Sequence, residues 1–158
     1  MFNIGDKIAY PVHGAGVIEA IEEREILGEI KKYYVMKMPL SNMKVMIPLD
    51  NMEEVGIRPV VTQQEVDDIF AILAADETKM PLNWNRRYRA NMDTIKSGNI
   101  YEVAEVVRNL TLRDREKALS TGEKKILNNA KQILLSEIIL VSNINEDRAL
   151  DLIEESVK

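Results

Sequence analysis

The spacing of apolar residues changes once along this chain, near residues 56–61, and that change limits the folds available to it. Before it, apolar residues come in short, partly alternating runs interrupted by Gly and Pro. After Pro59 they recur every three or four residues. Alternation places side chains on one face of a strand, whereas a spacing of three or four places them along one stripe of a helix. One kind of element cannot satisfy both patterns. The expected class is α+β with two domains: a small barrel of the SH3-like or Tudor-like kind over 1–56, then an all-helical bundle over 61–158. Of the 158 residues, 46% are hydrophobic, enough for two modest cores.

The first part reads as four or five strands. Ile4 to Tyr10 alternates in part. Pro11-Val12-His13-Gly14-Ala15-Gly16 carries a proline and two glycines and predicts a turn or bulge. Val17 to Ile26 continues as a strand, and Leu27-Gly28-Glu29 turns it. Lys32 to Met38 is rich in aromatic and β-branched residues and predicts another strand. Ser41-Asn42 leads into Lys44 to Leu49. Pro48 has no N–H for a ladder, so its strand ends there or lies at a sheet edge. An edge beside Met43, Val45 and Ile47 could accept a strand from another protein; the plainer alternative is an edge covered by its own domain.

Five helical stripes follow: Val66 to Leu73, Tyr88 to Ile95, Ile100 to Leu110, Ile126 to Ile138, and Ala149 to Ile153. Thr62 with Glu65, and Ser120 with Glu123, have the spacing of capping boxes. Ser97-Gly98-Asn99 ends the second helix.

Catalytic patterns are missing. Without cysteine there is no disulfide, thiol nucleophile or thiolate metal site. His13 is the only histidine, and nothing near it in sequence suggests an orienting partner or a nucleophile. Gly14-Ala15-Gly16 lacks the third glycine of a dinucleotide fingerprint and the Lys-Ser/Thr of a phosphate loop. The expectation is a non-enzyme without cofactor. No apolar run is long enough to span a bilayer, so no membrane partner is expected, and the lack of cysteine suits the cytoplasm.

Trp84 is the only tryptophan, and it opens Trp84-Asn85-Arg86-Arg87-Tyr88-Arg89. An aromatic ring beside guanidinium groups suits distorted nucleic acid, where the ring stacks on or separates bases and the cations hold phosphates. The chain carries a net charge of −5, yet Trp84 to Lys131 holds 11 Lys/Arg against 6 Asp/Glu. A basic middle in an acidic chain predicts local contact with nucleic acid. Arg86, Arg87 and Arg89 fall in the first turn of a helix, where the helix dipole disfavours each cation by ~0.3–1 kcal/mol. An anionic ligand would remove that conflict. Lys124 and Lys125 stand in the same position on the fourth helix. The alternative for Trp84 is a place in the core against Tyr88.

Five segments together resemble the CarD/CdnL family of bacterial transcription regulators over nearly the whole chain. They are Gly5-Asp6 with Tyr10-Pro11-Val12-His13-Gly14; Ile47-Pro48; Asn83 to Arg89; Val103 to Arg108; and Leu119 to Lys124. The resemblance implies an N-terminal Tudor-like domain that binds the RNA polymerase β subunit, related to one in transcription-repair coupling factors. It also implies a helical domain that meets promoter DNA at the upstream edge of the melted bubble. The tryptophan matching Trp84 enters the minor groove there, and residues matching Arg86, Arg89 and Lys124 touch the DNA backbone. The polymerase-facing surface would comprise Arg24 and Val45, Met46, Ile47, Pro48 and Leu49. Some relatives carry arginine where Met46 stands, which removes a polar element of that contact. The expectation is a monomer, with exchange of N-terminal strands as a route to dimers. The rival reading is a protein-interaction adaptor that touches no DNA.

Overall fold

A computed structural model describes residues 2–158. Strands β1 (Lys7–Tyr10), β2 (Gly14–Ile26), β3 (Glu29–Lys37), β4 (Lys44–Pro48) and β5 (Arg58–Pro59) form one antiparallel sheet in the order β4-β3-β2-β1-β5. A 3-10 turn (Leu49–Asn51) and a short helix α1 (Met52–Val55) lie between β4 and β5. Ile8, Ile18, Tyr34, Met36 and Ile47 are fully buried and form the core of this unit, with Phe2, Leu49, Met52 and Ile57 around them. The β unit thus runs past residue 56 to Pro59. Ile57 packs into the sheet's core and Arg58 pairs with Ala9, contacts too short to register as a sequence period.

The expected turn over Pro11 to Gly16 is shorter than its glycines suggested. Gly14, Ala15 and Gly16 already pair with β1. A Cβ on Gly16 would sit 2.6 Å from Met36 Cγ and 2.7 Å from the Lys37 carbonyl oxygen. That glycine serves close approach of strands rather than a turn.

At the other end of β2 the sheet narrows to a two-stranded ribbon. β1 stops opposite Val17 and β4 stops opposite Tyr33, so residues 22–32 are paired only across the β2–β3 hairpin. Leu27 and Gly28 close it with positive φ (52° and 81°), as a tight two-residue hairpin turn requires.

The helical part holds five helices: α2 (Gln63–Ala74), α3 (Trp84–Ser97), α4 (Ile100–Glu116), α5 (Thr121–Ser142) and α6 (Glu146–Ser156). All five predicted stripes form helices. Thr62 and Glu65 make the full reciprocal capping box. Gly98 ends α3 in the left-handed conformation (φ 76°). The core is built from α2, α4, α5 and α6 around fully buried Ile69, Leu73, Ala104, Leu110, Leu134 and Ile138. No helix among the described residues is long and apolar enough to cross a membrane.

Candidate functional site

The site forms where two helix N-termini meet. Asn83 caps α3, its side-chain oxygen accepting from the Arg86 N–H at 3.1 Å. Ser120 caps α5 in the same way, accepting from the Glu123 N–H at 3.2 Å. The positive ends of both helix dipoles therefore lie close together.

Two cross-links hold these ends in place. The first is the indole: Trp84 Nε1 donates to Ser120 Oγ at 3.0 Å. Its ring stacks on Tyr88, with centroids 5.1 Å apart and planes 23° from parallel. Gly122 lies against the edge of the ring, where a Cβ would come within 3.3 Å of Trp84 Cζ2. Even so, Trp84 remains 42% exposed. The two sequence readings of this residue are both partly realised: one side is packed on Tyr88 and a large part of the ring faces solvent. Leu82 beside it is 95% exposed, which widens the apolar surface.

The second cross-link corrects an expectation. Arg87 was assigned to the nucleic-acid face, but it is 3% exposed. Its Nε and Nη2 donate to the two carboxylate oxygens of Glu123 at 2.7 and 3.0 Å, and Nη1 donates to the carbonyls of Pro81 and Leu82. Arg87 shares the inward face of α3 with buried Asn91 and Ile95, at i, i+4 and i+8. No local signal marks this in the sequence: the apolar stripe runs through Tyr88, Met92 and Ile95, and the partner acid stands at the start of α5, two helices on. The hydrogen bond from Arg87 holds the Glu123 carboxyl below the usual carboxylate range, with the Arg87 and Arg113 charges adding to it against the opposing effect of burial. The same bond raises Arg87 further above its ordinary value.

Glu123 is thereby diverted from the capping box predicted with Ser120. Only the Ser120 half forms, because two charge-assisted bonds to the Arg87 guanidinium outweigh the single one the carboxylate would accept from the Ser120 N–H.

Arg86 and Arg89 near the start of α3, and Lys124 and Lys125 near the start of α5, are exposed. No ion pair holds any of the four among the described residues. The basic character of the middle segment is smaller at the surface than the sequence count implies. Arg108 is also buried, donating to the Ile72 carbonyl and to the side chains of Thr78 and Asn109. Together with Arg87 it anchors the loop leading to Trp84.

At the sheet end, β4 pairs with β3 on one side only and forms an edge. Val45, Met46, Pro48 and Leu49 are half-buried. Ile47 is fully buried and points into the core, so only its backbone is available to a partner. Pro48 both ends the strand and lies at the edge, as its missing N–H allows. Arg24 lies on the ribbon, two strands over from β4 and beyond its Pro48 end, with Glu22 at 3.3 Å and a mostly exposed side chain.

Comparison with known proteins covers both halves. Residues 2–61 match the CarD-like/TRCF RID domain, and residues 68–154 match the CarD C-terminal domain. A protein of Bacillus subtilis (strain 168), "Putative transcription factor YdeB", is 49% identical over 146 residues, covering 92% of this chain and 95% of that protein. The α+β architecture, with a Tudor-like sheet unit ahead of the helices, agrees with both matches. The chain belongs to the CarD family of transcription factors.

Proposed function

We propose that this protein binds the RNA polymerase β subunit through its sheet and stabilises the open promoter complex by wedging Trp84 into the minor groove at the upstream edge of the bubble. One observation carries the reading: a half-exposed indole sits at two converging helix N-termini, and four exposed cations without ion-pair partners stand near the starts of the same two helices. An unpaired cation at a helix N-terminus is unfavourable until an anion arrives. Phosphates on either side of a distorted step would supply it, while the ring stacks on the exposed base.

The family match to the domain shared with transcription-repair coupling factors supports polymerase as the partner of the sheet. The open β4 edge supports strand addition as the mode, with Arg24 offering a charged group farther out on the β2–β3 ribbon. Such a protein acts through differential affinity alone. If it binds open promoter DNA ~1.4 kcal/mol more tightly than closed DNA, the equilibrium moves about tenfold. Whether expression rises or falls then depends on which step limits a given promoter.

Trp84→Ala tests the wedge. Polymerase binding should persist, and the lifetime of the open complex should fall about tenfold, the scale of one lost base-stacking contact. An unchanged lifetime would refute the wedge. Crosslinking from position 84 to promoter DNA separates this reading from an adaptor that touches only protein.

A further inference from the structure

The proposed contacts leave one sequence motif unused, Tyr10-Pro11-Val12-His13-Gly14. It lies between the two domains. The Pro11 ring sits over Gly98, the left-handed residue ending α3; a Cβ there would come within 3.0 Å of Pro11 Cγ. A Cβ on Gly14 would come within 2.6 Å of Ser136 Oγ. Ser136 Oγ accepts from the buried Ala15 N–H at 2.8 Å and donates to the Ile133 carbonyl at 2.7 Å. Between these contacts Val12 holds φ at 77°. A β-branched residue reaches that region at a cost of about 1–2 kcal/mol, so surrounding contacts must maintain it.

Next to it lies a bidentate ion pair with a buried carboxylate. The Arg58 guanidinium donates to both carboxylate oxygens of Glu137, at 2.7 and 2.9 Å. The Val61 N–H donates to the same carboxylate at 2.8 Å, and Glu137 is 1% exposed. Lys7 Nζ donates to the Leu140 carbonyl at 2.8 Å. Residues 133, 136, 137 and 140 fall at i, i+3, i+4 and i+7, a single stripe of α5. The opposite end of this 22-residue helix carries Ser120 at its cap and Gly122 in its first turn, which hold the indole. A helix of that length spans about 33 Å.

We propose that this stripe is a clamp, that α5 is a strut, and that Arg58, Ser136 and Glu137 are positioning residues for Trp84. The clamp makes the sheet and the indole one rigid bracket rather than two modules on a tether, an inference that rests on the function proposed above. A rigid link presents the indole at one distance and angle from the docked sheet. A loose link spreads the same indole over many placements and lowers its effective concentration at the fork.

The test uses the full chain. It has no cysteine, so Glu54→Cys and Glu155→Cys, both at exposed positions, take spin labels cleanly for a distance distribution between domains. Without further change the distribution should be narrow. Glu137→Gln keeps an acceptor for Val61 N–H but removes the ion pair, and should broaden it. Gly14→Ala, which drives a Cβ onto Ser136, should broaden it independently. Arg58→Lys keeps the charge but loses the fork and should lie between. On unlabelled chains carrying the same clamp substitutions, polymerase binding and affinity for isolated fork DNA should stay unchanged, while open-complex lifetime falls roughly three- to tenfold.

A broad distribution in the chain with an intact clamp overturns the proposal. So does a Glu137→Gln distribution that stays narrow, or a broadened variant with full lifetime. Trp84→Ala run alongside separates the two layers. If Trp84→Ala leaves lifetime unchanged, the wedge reading fails; if it shortens lifetime and the uncoupled variants do not, the clamp alone fails.

Discussion

The β4 edge and the junction of α3 with α5 present different chemistry. At β4 Val45, Met46 and Pro48 are half-buried, Ile47 is fully buried and exposed Lys44 is paired with Glu19, so the unpaired backbone is what remains to offer. At the helix junction the backbone is capped, and an indole with four cations projects from it. A surface that works through its backbone tolerates exchange of side chains as long as the strand stays extended. A surface built from one ring and its supports does not. Under the proposed function, the sheet contact would depend little on which side chain stands at Met46.

Several substitutions can break this contrast. The largest effect is expected at Glu123→Ala, which leaves the Arg87 charge buried without its carboxylate and should cost about 3–5 kcal/mol of stability in urea denaturation. A loss below 1 kcal/mol would mean that the pair does not organise the junction. The same carboxylate should make stability depend on acid. Its folded pKa is depressed, so its contribution is complete above the ordinary glutamate value of about 4.3 and drains away as pH falls through the lower folded value. Glu123→Gln should flatten that part of a stability–pH curve, and an unaltered slope would contradict the assignment.

Smaller effects are expected at the exposed cations. Arg86→Ala, Arg89→Ala and Lys124→Ala should each reduce the slope of log affinity against log salt by about one, equally across DNA sequences. Arg87→Lys should leave that slope alone and appear only in stability, because its charge faces inward. The smallest effect is expected at Met46→Ala, which should change polymerase affinity by less than about threefold. A tenfold loss there would show that the edge is read through its side chains, and the contrast between the two surfaces would disappear.

Much of the fold was legible because it depends on local periodicity. The five helical stripes, the Gly98 terminus and the Thr62–Glu65 cap all follow from residues within a few positions of one another. Arg87 was misread because its partner lies 36 residues away. Its first-turn position and charge resemble those of Arg86, and only the pairing of α3 with α5 tells them apart. The same long-range pairing explains the unfinished cap at Ser120, and the burial of Arg108 rests on equally distant partners, the Ile72 carbonyl and Thr78. The half-exposure of Trp84 could not be read from one helix, since Tyr88 packs it from α3 while Ser120 and Gly122 hold it from α5. Pro11 and Gly14 read as turn formers; Pro11 is one, Gly14 already opens β2, and their further use as a seam between domains requires knowing where Gly98 and Ser136 lie.

The narrow β2–β3 ribbon has a mechanical consequence. Two hydrogen-bonded strands without a third neighbour bend and twist at little energetic cost, and amides there should exchange with solvent long before those of the five-stranded region. Arg24 rides on that springy arm, whereas Trp84 is seated on stiff helices. Under the proposed function, the first would yield to an uneven surface while the second keeps its aim.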